Sequence, residues 1–278
     1  YVGSYSYTGK AKGITVFDVD VENGMFKERC EIEEDNSSYV IASSDGKTLY
    51  SIADEGVVSF RILPNGSLAR LNSSSIRGMR GCHLCTDEED KYVFVSGYHD
   101  GKTTVLSLNP DGSVGKIVDG VFDRGYGSVA ERNFRPHVTC TRRMPDNRFV
   151  LSVDNGIDQV KIYRFNDKEQ KLVQVDAIRC DLESAPRHFR YSKDGKFIYL
   201  MYELKKAIEV YTYKTGDRAP VIEKIQTIST SSTKNPDNLT AACAMRMSID
   251  QKYIYCTNAG ENTISVYKRD EETGLLSM

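Results

Sequence analysis

The residues that could do chemistry include Arg187 and Glu203, which stand at the outer ends of a segment with the pattern of a β-hairpin. Strand-forming side chains occupy residues 189–191 and 197–201, and the KDGK sequence at residues 193–196 supplies the turn. Because the first residue of one hairpin strand lies beside the last residue of its partner, we expect Arg187 and Glu203 to meet. A guanidinium beside a carboxylate is either an ion pair or half of an anion-handling site.

The pattern of this hairpin recurs along the chain. Six passages share a turn with Asp, an apolar strand, a polar loop and a second strand. The period is roughly 44–57 residues, which is typical of β-propeller blades and not of helical repeats. Four short strands fit each period, so we predict an all-β fold, a β-propeller of four-stranded blades. The alternative is a β-sandwich with accidentally similar hairpins, and six copies argue against it.

The repeat also predicts which residues share one face of the molecule. In each copy, the start of the first strand and the loop after the second strand lie opposite the Asp-containing turn. Applied copy by copy, this rule gathers polar residues at the mouth of the propeller: His137 with Asp154, Arg187 and His188 with Glu203, and Arg246 with Asn258. Convergent polar residues at such a mouth are the default hypothesis for a site.

Composition narrows the classes of function. The formal net charge of −2 gives no reason to expect a nucleic acid or a membrane surface as partner. The seven cysteines are odd in number and fit reduced thiols in a cytoplasmic protein. No ligand cluster with metal-site spacing occurs, so no metal or cofactor is expected. No G-x-S-x-G sequence is present, which argues against a serine nucleophile.

Short motifs in a fixed order run along the whole chain. They are YVGSYS at 1–6, NSSYV at 36–40, RPH at 135–137, DNGID at 154–158, APRH at 185–188, YEL at 202–204 and NAG at 258–260. Together they resemble the lactonase family of seven-bladed β-propellers, which includes propeller-type 6-phosphogluconolactonases and the fungal carboxy-muconate lactonizing enzyme. The resemblance implies that residues 1–278 form a single propeller domain that lacks most of a C-terminal seventh blade. A closed six-bladed ring is the alternative.

The resemblance also implies an active site. In this sequence His137, Arg187 and Glu203 match the family's proposed histidine, first arginine and glutamate. Three positions depart from the family pattern: Thr139 replaces a second histidine, Ala259 replaces a second arginine, and Ala244 replaces the acidic residue that often precedes the strand containing Arg246. Other arginines are candidates to supply the missing positive charge, namely Arg132, Arg246 and Arg80.

The activity that the resemblance implies is hydrolysis of a small anionic sugar lactone, 6-phosphogluconolactone, to 6-phosphogluconate in the pentose phosphate pathway. His137 would be the general base, because imidazole titrates near neutral pH. Arg187 would stabilise the developing oxyanion, and Glu203 would orient Arg187 or shuttle a proton. We expect substrate contacts from Arg132, Arg246, Asn258, Asp154 and His188.

Two other functions and several structural roles remain open at this point. The chain could be a muconate-type lactonizing lyase, or a propeller that binds a ligand or a protein without catalysis. Arg187 and Glu203 could form only an ion pair that holds a hairpin end. His188 could be a packing residue, and Asp154 could fix its loop.

Overall fold

Every regular element that the computed structural model describes is a β-strand, and the strands form six antiparallel sheets. The structure describes residues 1–127, 134–231, 233 and 240–278. Within those residues no helix occurs, and so none is long and apolar enough to cross a membrane. The predicted all-β fold is confirmed.

The chain divides into two compact units, Tyr1–Phe122 and Asp123–Met278. The first unit contains three sheets, of which sheet 1 has three strands and sheets 2 and 3 have four each. Sheet 1 contains β1 (Val2–Gly3), β2 (Gly13–Asp20) and β3 (Met25–Glu33). Sheet 2 contains β4 (Val40–Ala42), β5 (Thr48–Ala53), β6 (Gly56–Ile62) and β7 (Leu68–Ser75). Sheet 3 contains β8 (His83–Thr86), β9 (Tyr92–Gly97), β10 (Lys102–Leu108) and β11 (Val114–Phe122).

The second unit contains three four-stranded sheets and, among the described residues, the predicted catalytic residues and the predicted substrate contacts. Sheet 4 contains β12 (Val138–Arg143), β13 (Phe149–Asp154), β14 (Gln159–Arg164) and β15 (Val173–Arg179). Sheet 5 contains β16 (Pro186–Tyr191), β17 (Phe197–Tyr202), β18 (Ala207–Lys214) and β19 (Val221–Ser229). Sheet 6 contains β20 (Ala241–Met247), β21 (Tyr253–Ala259), β22 (Thr263–Arg269) and β23 (Leu276–Ser277). In all three, each strand pairs with its neighbour in sequence, which is the arrangement of a propeller blade.

The core of the second unit lies between the faces of successive sheets. Phe149 and Leu151 of sheet 4 belong to one buried cluster with Phe189 and Leu200 of sheet 5. Both phenylalanines are completely buried, and full burial of such a side chain contributes about 1.5–3 kcal/mol. A second cluster joins sheets 5 and 6 in the same way. The first strands of these sheets are therefore fixed side by side.

A β-bulge recurs at the same place in the first strand of all three sheets. The pairing register shifts between Val138 and Cys140, between Pro186 and His188, and between Ala242 and Ala244. The residues inside these shifts are Thr139, Arg187 and Cys243. A bulge turns its extra residue out of the regular alternation of faces. The bulge therefore determines where the Arg187 side chain points.

Candidate functional site

The candidate site contains the ion pair that the hairpin pattern predicted. Arg187 Nη1 lies 2.5 Å from Glu203 Oε2. The Glu203 backbone N–H donates to the carbonyl of Ala185 at 2.8 Å and closes the end of the hairpin. The Glu203 side chain is buried, whereas 32% of the Arg187 side chain is exposed. A charge-assisted pair of this kind holds the guanidinium in one orientation at the surface.

The three bulged residues are linked by hydrogen bonds from one sheet to the next. Thr139 Oγ1 donates to the Arg187 carbonyl at 2.7 Å, and Arg187 Nε donates to the Cys243 carbonyl at 2.9 Å. Thr139, which stands where the family resemblance expects a histidine, therefore fixes the backbone of Arg187. Sheets 4, 5 and 6 all contribute to the position of this one guanidinium.

Asn155 is a site residue that the sequence predictions did not single out. Its side chain is buried, and its Nδ2 donates to Glu203 Oε2 at 3.2 Å and to the Ala185 carbonyl at 3.5 Å. Its backbone N–H donates to the His137 carbonyl at 2.9 Å. The repeat places Asn155 at the mouth with the rest of residues 154–158, because Asn155 and Glu203 each directly follow the second strand of their sheets.

His137 lies at the same end of sheet 4 as Arg187 and Glu203 do in sheet 5. It is buried, and its ring stands edge-on to Phe134 with 6.2 Å between the ring centres. Its neighbourhood requires glycine at position 156, where a Cβ would lie 1.7 Å from the Arg135 carbonyl oxygen and 2.8 Å from His137 Cδ2. Asn155 thus connects the His137 backbone to the Glu203 side chain, and the three residues predicted to be catalytic lie at the same end of neighbouring sheets.

Asp154 lies beneath His137 in the protein interior. Its Oδ1 accepts hydrogen bonds from the backbone N–H groups of His137, at 2.8 Å, and Gly156, at 2.9 Å. Burial, and next the neighbouring Asp123 carboxyl group, raise the pKa of Asp154 to about 8. This position agrees with the loop-fixing alternative, and direct contact with a substrate stays a prediction.

His188 and Arg246 lie further along the first strands than Arg187 does. Burial, followed by the charges of Arg190, Arg187, Arg142 and Arg246, lowers the pKa of His188 well below its usual value, so the ring is uncharged at neutral pH. Arg246 follows the bulged Cys243 by three positions, a distance of about 10 Å along a strand. Arg246 is exposed, and its Nη1 donates to the Met245 carbonyl at 3.3 Å.

Asn258 and Arg132 are the two remaining residues predicted to contact a substrate. Asn258 is buried in sheet 6, where its Nδ2 donates to the Thr230 carbonyl at 2.6 Å and to two hydroxyl groups, those of Thr263 and Ser265. The structure thus gives this amide a bracing role between sheet 6 and the segment that follows β19 of sheet 5. Arg132 lies outside the described residues. The substrate contacts predicted for both residues stay predictions.

The grouped residues have the types that ester and lactone hydrolysis requires. An imidazole can remove a proton from water near neutral pH. A guanidinium can stabilise negative charge that develops on a carbonyl oxygen. Arg187 is held by Glu203 and by the Cys243 carbonyl before any substrate arrives, so little reorganisation is needed.

Comparison with known proteins places the whole chain in one family. Residues 1–278 match the family model described as lactonase, 7-bladed β-propeller. The 6-phosphogluconolactonase of Bacillus subtilis is 29% identical over 283 residues, which cover 100% of this chain and 79% of that protein. An uncharacterised protein of Staphylococcus saprophyticus is 28% identical over 286 residues, with 100% of this chain and 80% of that protein covered.

Solved structures give the same result for the fold. A Bacteroides fragilis protein described as a candidate 6-phosphogluconolactonase superposes with a TM-score of 0.87 at 30% identity, covering 99% of this chain and 79% of that one. The periplasmic gluconolactonase of Pseudomonas aeruginosa superposes with a TM-score of 0.89 at 24% identity, covering 99% and 80%. At that lower identity the likeness concerns the fold alone.

Proposed function

Because this chain belongs to the lactonase family of seven-bladed β-propellers, we propose that it hydrolyses 6-phosphogluconolactone to 6-phosphogluconate. The predicted family, the propeller fold and the lactonase class of enzyme are confirmed by the match over residues 1–278. The choice of substrate is supported by the similarity to the Bacillus subtilis 6-phosphogluconolactonase.

The observation that carries the proposed mechanism is the connection of the His137 backbone, through Asn155, to the Arg187–Glu203 pair. His137 accepts a proton from a water molecule, and the resulting hydroxide attacks the lactone carbonyl carbon. Arg187 donates hydrogen bonds to the oxygen that becomes negative in the tetrahedral intermediate. The ring C–O bond then breaks, and the imidazolium returns its proton to the leaving oxygen. Glu203 keeps Arg187 in place throughout.

The phosphate group requires a second positive charge in this proposal. Ala259 stands where the family resemblance expects an arginine, so that charge must come from another residue. We propose Arg132 or Arg246 for this role, as the sequence predicted. Neither residue duplicates the family arrangement, and affinity for the phosphate is therefore expected to be the weakest part of substrate recognition.

The test is an assay of the purified chain with 6-phosphogluconolactone, corrected for spontaneous hydrolysis. We expect wild-type turnover, and loss of measurable turnover in His137→Ala and in Arg187→Ala. Arg164→Ala is the matched control, because Arg164 is an exposed arginine at the end of β14. Wild-type rates equal to the spontaneous rate would overturn the proposal. Turnover of a muconate would instead indicate a lactonizing lyase. A folded protein without either activity would indicate a propeller that binds a ligand or a protein without catalysis.

The proposal also covers the domain organisation of the chain and the location of the protein in the cell. We propose that residues 1–278 act as one propeller domain and that the protein works in the cytoplasm. The seven cysteines are all thiols, which supports a reducing environment. A disulfide found by mass mapping of the protein from its native source would contradict the cytoplasmic location.

A further inference from the structure

A second buried carboxyl group stands beside Asp154. Asp123 follows β11, and its side chain is completely shielded from solvent. Its Oδ1 lies 3.1 Å from Lys161 Nζ and accepts a hydrogen bond from the Tyr163 hydroxyl at 3.1 Å. Oδ1 of Asp123 therefore has two partners, just as Oδ1 of Asp154 accepts hydrogen bonds from two backbone N–H groups.

Within the part of the chain that the structure describes, the other oxygen of each carboxyl group has no donor. Asp123 Oδ2 and Asp154 Oδ2 are both buried without a hydrogen-bond partner among the described residues. The two side chains nevertheless lie within hydrogen-bonding reach of each other. Two ionised carboxylates in such a position repel, and each would leave an oxygen unsatisfied in the interior. A single proton between the two oxygens removes both difficulties.

We propose that Asp123 and Asp154 hold one proton between them and that this pair positions His137. The Asp154 Oδ2–H group donates to Asp123 Oδ2, which leaves Asp154 Oδ1 to accept the His137 backbone N–H. Asp123 Oδ1 keeps its ion pair with Lys161 Nζ at 3.1 Å. The sharing of the proton stands independently of any activity, whereas the positioning of a catalytic base rests on the proposed function.

Titratable groups face the pair from two other parts of sheet 4. Lys161 and Tyr163 face it from β14, and His137 faces it from the segment before β12. Burial, and then the Asp123 charge, raise the pKa of the Tyr163 hydroxyl, which therefore remains a donor. Loss of the shared proton leaves two like charges side by side, and their repulsion pushes the carboxylates apart. The His137 N–H group stays bound to the ionised Asp154, so the backbone of His137 moves with it.

Infrared spectroscopy tests the shared proton without any assay. At pH 7 the wild-type protein should show the carbonyl stretch of one buried protonated carboxyl group, and the band should disappear above a pH of about 8. Asp154→Asn should lack the band, because its amide replaces the carboxyl while donating to Asp123 and accepting the same backbone N–H groups. Asp158→Asn is the control, since both oxygens of Asp158 already have donors. A wild-type protein without the band, or an Asp154→Asn protein that keeps it, would overturn the proposal.

A pH profile tests the effect on His137. Wild-type kcat should fall about tenfold between pH 7 and pH 9 as the pair ionises. That fall should vanish in Asp154→Asn, and also in Asp123→Asn, whose amide donates to Asp154 without a titrating proton. The backbone amide resonance of His137 should shift over the same pH range in the wild-type protein alone. If the shift and the loss of kcat persist in both variants, the pair does not position His137. The resonance keeps the test decisive even if no turnover is found.

Discussion

Asn155 Nδ2 lies 3.2 Å from Glu203 Oε2, so a side chain of sheet 4 holds the carboxylate that orients Arg187 in sheet 5. The backbone N–H of the same residue donates to the His137 carbonyl. One buried residue therefore links the backbone of the proposed base to the proposed oxyanion-stabilising pair. The relative position of His137 and Arg187 depends on it.

Asn155→Ala should separate the two halves of the site. We expect a loss of about 1–2 kcal/mol in the free energy of unfolding, because buried Glu203 loses a donor. We also expect kcat/KM to fall about tenfold, and both quantities can be measured by denaturant titration and lactone assay. Gln174→Ala is the matched control, since Gln174 is an exposed amide on β15. Equal behaviour of the two variants would show that Asn155 has no special role.

Thr139 offers a test of the bulge network. Thr139→Val removes the donor to the Arg187 carbonyl at 2.7 Å while keeping a similar volume. The variant should lose about 1 kcal/mol of unfolding free energy and part of its kcat, because Arg187 is no longer held from sheet 4. Thr139→Ser keeps the hydroxyl and should behave like the wild-type protein. If the serine variant fails as the valine variant does, the hydroxyl donor is not what matters.

The contacts within one hairpin of the site could be predicted from sequence, because strand pairing and the turn determine them. The contact of Arg187 with Glu203 follows from hairpin register, which needs only the strand pattern and the turn. The link from Thr139 to Arg187 does not follow, because it crosses between sheets and depends on bulges with no signature in the residue types. A repeat predicts which positions are equivalent, and it does not predict how neighbouring sheets contact each other.

The buried carboxyl groups Asp123 and Asp154 also show which features of the site can be predicted from sequence and which cannot. The DNGID motif identified Asp154, but a carboxyl group on a loop gives no sign of whether it faces solvent or the interior. Asp123 precedes β12 and is brought to Asp154 only when sheet 4 packs against the segment after β11. Arg246 was predicted at the mouth from its place in the repeat, and strand spacing puts it about 10 Å along β20 from the bulged Cys243, so its contact with a substrate stays a prediction.

Acid should destabilise sheet 5 through Glu209. Burial by itself would raise the pKa of Glu209, but hydrogen bonds from Lys205, Tyr202, Tyr211 and Lys224 outweigh it and lower the pKa to about 2. Because this folded-state pKa lies below the usual 4.5, the stabilisation is complete above pH 4.5 and is lost as the pH falls toward 2. The full effect is about 3 kcal/mol.

Glu209→Gln separates that effect from general acid unfolding. Denaturant titrations at pH 7 and at pH 3 should show a smaller difference for the variant than for the wild-type protein. Glu223→Gln is the control, because Glu223 is an exposed glutamate on the neighbouring β19. An identical pH dependence in the wild-type protein and Glu209→Gln would mean that this cluster does not respond to acid.

Ala259 is the position at which substrate recognition can be rebuilt. It pairs with Ala241 at the end of sheet 6, in the place that Asn155 and Glu203 take in sheets 4 and 5, and it is exposed. Ala259→Arg would add a guanidinium to the same end of the sheets, where it can form charge-assisted hydrogen bonds to a phosphate. We expect KM for 6-phosphogluconolactone to fall about tenfold while kcat changes little, because binding far from the reacting carbonyl stabilises ground and transition states alike.

The unphosphorylated lactone separates charge recognition from a general effect on the site. KM for gluconolactone should be the same in Ala259→Arg and in the wild-type protein, because that substrate lacks the anion. Ala259→Gln adds a comparable side chain without the charge and should leave both KM values unchanged. A fall in KM for both lactones, or in the glutamine variant, would show that side-chain bulk and not charge acts at this position. No change for either lactone would place the phosphate away from sheet 6, which leaves Arg132 as the proposed phosphate contact.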